Sequence, residues 1–77
     1  MSRLIPVHYG KFCKFLEYVG CEFIRKTGSH LVYRRNDLPR SIVIPEHKEL
    51  SMTVIFSNLK TLGISKEKYQ EIMERIK

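Results

Sequence analysis

The chain has 77 residues, with 14 Lys and Arg against 8 Asp and Glu and a formal net charge of +6. A chain of this length forms one small domain that buries only about 60% of its unfolded surface, which leaves no room for a separate cofactor domain and gives residues 1–77 as a single domain. The basic excess favours a polyanionic partner, whereas a membrane is disfavoured because no apolar run approaches the roughly 20 residues of a span and the basic residues sit in strand-like segments rather than on one amphipathic helix.

The first residues lack the apolar core of a signal peptide, so a cytoplasmic protein is expected. Residues 4–8 read as an irregular lead-in held by Pro6. From Tyr9 or Gly10 onward, Phe12, Phe15, Leu16 and Val19 recur at i, i+3, i+4 and i+7, with Lys11, Lys14, Glu17 and Tyr18 mostly on the opposite side. This is the apolar stripe of a helix, and it assigns the phenyl rings to the core rather than to base stacking. Gly20 ends the helix.

Residues 21–26 carry the β-formers Phe23 and Ile24, and Thr27-Gly28-Ser29 turns them into a second strand over residues 30–35. A second turn, Asn36-Asp37-Leu38-Pro39, leads to a third strand, Ser41-Ile42-Val43-Ile44, ending at Pro45. Alternation puts His30, Val32 and Arg34 on one face and Leu31, Tyr33 and Arg35 on the other, without saying which face the helices cover. Residues 45–50 read as a polar connection. Met52, Ile55, Phe56, Leu59 and Leu62 then mark a helix ended by Gly63. Ser65 is an N-cap for a last helix with Glu67 in its first turn and Tyr69, Ile72, Met73 and Ile76 as its stripe. The order is α-β-β-β-α plus a C-terminal helix, an α+β fold in which helices bracket a small three-stranded antiparallel sheet.

The candidate chemistry centres on Gly28-Ser29-His30, where a glycine turn delivers a histidine to the mouth of a strand. RNA carries its own nucleophile, the 2′-hydroxyl, so its cleavage needs a group to remove that proton, cations to stabilise the crowded phosphate and an acid for the leaving oxygen. Histidine changes charge around neutral pH and suits the proton transfers, while Lys26 or Arg34 can offset phosphoryl charge. The phosphate and RNA contacts expected are Lys26, Ser29, Arg34, Arg35 and His47. His47 is also a candidate acid partner of His30, although its polar loop makes a hydrogen-bonded loop role preferable, and His8 is set aside. No metal or other cofactor is expected, since the carboxylates are scattered and only Glu46 and Glu49 lie near His47. Cys13 and Cys21 match no zinc spacing and read as reduced thiols.

Several ordered pieces carry a family resemblance: Gly20 after the first helix, Gly28-Ser29-His30, Ile42-Val43-Ile44-Pro45-Glu46-His47, and Leu59-Lys60-Thr61-Leu62-Gly63-Ile64-Ser65 followed by Tyr69. Over residues 12–69 the chain resembles the HicA family of toxins. The resemblance implies a fold like the double-stranded-RNA-binding domain, endoribonuclease activity on messenger RNA, a catalytic histidine at His30 and neutralisation by a HicB-type antitoxin. Cys21, Leu31 and Thr53-Val54 depart from the family's usual residues, which keeps an inactive homologue or a non-catalytic RNA-binding module as the alternative.

Overall fold

The computed structural model describes residues 6–46 and 49–76. Along the chain these form β1 (Val7–His8), α1 (Tyr9–Tyr18), β2 (Glu22–Thr27), β3 (His30–Arg34), β4 (Ile42–Pro45), β5 (Glu49–Leu50), α2 (Met52–Leu62) and α3 (Lys66–Arg75). The expected α-β-β-β-α order with a C-terminal helix is therefore present, and β2-β3-β4 form one antiparallel sheet with β3 in the middle. The lead-in and the polar connection are not wholly irregular. Val7 pairs with Leu50 and His8 with Glu49 in a second, two-stranded ladder, and Leu50 is fully buried. A ladder of two residues per strand is too short for a period-2 pattern to reveal it.

Each helix starts and stops for a local reason. The His8 ring nitrogen Nδ1 accepts the Gly10 amide at 3.0 Å, capping α1. At its other end, Cys21 donates to the Leu16 carbonyl at 2.9 Å and Gly20 to that of Glu17 at 3.1 Å, the paired bonds of a Schellman close. Gly63 closes α2 in the same way, with φ at +72°, a conformation that costs other residues about 1–2 kcal/mol. Ser51 and Ser65 supply the N-caps of α2 and α3 through their hydroxyls.

The face left open by alternation is settled by packing. Leu31 and Tyr33 of β3, with Ile42 and Ile44 of β4, enter one core together with Phe12, Phe15 and Leu16 of α1, Ile55, Leu59 and Leu62 of α2, and Tyr69, Ile72 and Met73 of α3. Tyr69 meets Phe15 edge-on, with ring centroids 5.0 Å apart, and lies 6.1 Å from Phe12. Burying each large apolar side chain contributes about 1.5–3 kcal/mol, so this contact of first and last helices is a principal source of stability.

Candidate functional site

Gly28 and Ser29 form a two-residue hairpin between Thr27 and His30, with Gly28 at φ +60° and no other positive φ in the turn, the pattern of a type II′ connection. On its other side His30 faces Pro45 of β4. The Glu46 amide donates to the Ser29 carbonyl at 2.7 Å, which makes His30 and Pro45 a pair without direct ladder bonds. Proline's missing N–H is therefore no loss there, and the opposed side chains lie close. His30 is thus held from both sides while its side chain stays exposed.

His30, Val43 and Pro45 form one wall of an open groove of about 450 Å³, and Thr53, Val54, Ser57 and Asn58 of α2 form the other. Asn58 is the one buried polar residue among those described, occupying a position of the apolar stripe between Ile55 and Leu59. That interruption of the stripe was a signal available in the sequence. Hydroxyl and amide groups of these types can donate to phosphoryl or ribose oxygens.

The predicted contact residues divide by face. Arg34 shares the face of His30, four residues along β3 and about 13 Å away at strand rise; its Nη1 reaches the Ser41 hydroxyl at 3.4 Å. Arg25 joins that face opposite Val32 and Thr27 opposite His30, positions reachable by counting back from the turn although the site prediction omits both. Lys26 is opposite Leu31, on the core-side face, and its ammonium pairs with Glu46 at 2.8 Å, a hydrogen bond that raises its pKa. Arg35 is not brought to His30. Its guanidinium grips Asp37 through two bonds of 2.6 and 3.1 Å and donates to the Val19 carbonyl at 2.7 Å, tying the end of α1 to the β3–β4 loop. The same contact with Asp37 raises the Arg35 pKa and lowers that of the carboxylate. Ser29 lies exposed in the turn. His47 lies outside the described residues.

Both cysteines are free, and burial pushes both thiols above their usual pKa. Cys13 is hydrogen-bonded to Tyr33, whose own hydroxyl is raised mainly by desolvation. Neither thiol has the electropositive, accessible setting of a nucleophile. Among the described residues no three His, Cys, Asp or Glu side chains converge as metal ligands, and no helix is long and apolar enough to cross a membrane.

A family model described as HicA toxin of bacterial toxin-antitoxin matches residues 4–64. The chain belongs to the HicA toxin family. As a HicA-family protein it is the toxin of a toxin–antitoxin system, with an antitoxin as its partner. The match spans β1 through the end of α2, so it includes the hairpin, His30 and both walls of the groove, whereas α3 lies beyond it. Neither curated proteins nor solved structures give a significant match.

Proposed function

We propose that this HicA toxin is an endoribonuclease acting on messenger RNA, with His30 as its catalytic histidine, no metal cofactor, and a HicB-type antitoxin as its inhibitor. The observation that carries this reading is the placement of His30: backbone-anchored between the turn and Pro45, exposed at the mouth of a groove, and on the face that also presents Arg25 and Arg34.

In the reaction, the imidazole takes the proton of a ribose 2′-hydroxyl as its oxygen attacks the adjacent phosphorus. The bond from phosphorus to the 5′-oxygen breaks, and that oxygen receives a proton from the imidazolium, leaving a 2′,3′-cyclic phosphate and a free 5′-hydroxyl. Electrons and protons balance without a redox partner. Positive charge on the Arg25 and Arg34 face draws in the polyanion, and hydroxyl and amide groups of the α2 wall offer donors to the phosphoryl oxygens. An acidic surface on the antitoxin that covers this face would block both substrate and cations.

His30→Ala tests the reading. Cleavage by the purified toxin, measured in chelator, should fall by about 10²–10⁴-fold, the usual contribution of positioned proton transfer. The thermal midpoint should hardly move, because truncating an exposed side chain changes stability by about 0.5 kcal/mol or less. RNA retention should persist, since affinity is spread over several cations. Undiminished cleavage overturns the role of His30, and RNA retention without cleavage by the unaltered protein favours a non-catalytic module. Arg34→Gln and Arg25→Gln should each weaken RNA binding and lower its salt slope by about 1.

A further inference from the structure

The basic side chains of this chain divide into partnered and unpartnered ones. Lys26, Arg35 and Lys68 are ion-paired, and Lys66 lies over the Phe56 ring. Arg40 and Lys60 make no ion pair or hydrogen bond through their side chains among the described residues. Both nevertheless line one open cleft of about 410 Å³ between the β3–β4 loop and the last turns of α2, together with Pro39, Ser57 and Thr61. Two unpaired cations on one small concavity repel each other, and an anion between them relieves that repulsion.

Ser57 also lines the groove of His30, so the two depressions share a wall. Along α2, Val54 lies at the His30 end and Thr61 at the Arg40 end. Seven residues of helix rise about 10 Å, an outer span that only a few nucleotides of a stacked strand would cover. The cleft offers cations and hydroxyls but no aromatic anchor of the kind that dominates protein–protein contacts.

We propose that Arg40 and Lys60 form a phosphate-binding subsite that holds the RNA strand a few nucleotides from the bond presented to His30. This rests on the ribonuclease reading of the groove and adds a direction to it: the strand runs along α2 from one depression to the other, crossing at Ser57. Such a subsite fixes the register of the chain relative to the imidazole without reading its bases.

The test uses the His30→Ala protein, so that a single-stranded RNA oligonucleotide stays intact during binding. The variant carrying Arg40→Gln and Lys60→Gln is compared with one carrying Lys68→Gln and Arg75→Gln, exposed residues of α3 that line neither depression, which removes equal charge elsewhere. The first pair should weaken binding about tenfold and reduce the salt slope by about 1, while the control pair changes little and both retain the parent's thermal midpoint. With His30 restored, the first pair should raise KM far more than it lowers kcat. Equal losses in the two pairs would show a diffuse charge effect and overturn the subsite, as would unchanged RNA binding accompanied by weaker antitoxin binding. Either result leaves the ribonuclease reading standing. A parent protein that retains no RNA removes both.

Discussion

The Tyr69 hydroxyl is buried without a hydrogen-bond partner among the described residues, and desolvation pushes its pKa up to about 12. An unsatisfied buried polar group costs about 1–3 kcal/mol, so Tyr69→Phe, which keeps the ring against Phe12 and Phe15, should stabilise the toxin. Chemical denaturation of the two proteins at neutral pH checks this. The alkaline limb carries a second signature. A tyrosine whose folded pKa exceeds its unfolded value of about 10 stays protonated in the native state while the unfolded chain releases its proton, so stability falls as pH rises from about 10 towards 12. Tyr69→Phe should flatten that decline; Tyr33, also raised by burial, retains its own share. A steeper loss in the phenylalanine variant would contradict the assignment.

At the scale of elements, the strongest periodicities proved the most legible. The α2 stripe of Ile55, Leu59 and Leu62 faces the core as its spacing implies, and Leu59→Ala should cost about 2–5 kcal/mol, read as a lowered denaturation midpoint. The position of His30 was legible too, because a Gly-Ser turn between β-forming runs fixes which residue opens the next strand. Other features left no local trace. A register shift between Phe23 and Arg25 brings Phe23 opposite Tyr33, with ring centroids 5.5 Å apart, where uninterrupted pairing from the turn would put Ile24. Nor does anything in Tyr33-Arg34-Arg35 distinguish an arginine aimed at solvent from one folded back onto a helix end: Asp37 is a near neighbour in sequence, but Val19 meets Arg35 only in three dimensions. Arg35→Ala should cost about 1.5–3 kcal/mol, the worth of a charged hydrogen bond to the Val19 carbonyl, and leave RNA affinity nearly unchanged. A loss of affinity as large as that of Arg34→Gln would return Arg35 to the binding surface.

For the molecule as a whole, the family match ends at residue 64, but the core does not. Tyr69, Ile72 and Met73 of α3 are buried against the preceding elements, so a chain cut after Ile64 should lose its cooperative thermal transition even though every residue of the groove is retained. A cut protein that melts sharply would show that α3 is dispensable. The cluster of Phe12, Phe15 and Tyr69 also bears on the order of events during synthesis. The rings lie near opposite ends of the described chain, and ribosomes add about 5–20 residues per second. Phe12 and Phe15 therefore wait several seconds after their own polymerisation before the ring that completes their packing exists. Until Tyr69 has been added, the nascent chain carries the His30 turn with no finished core behind it, so the packing that supports the groove is completed only by the last helix.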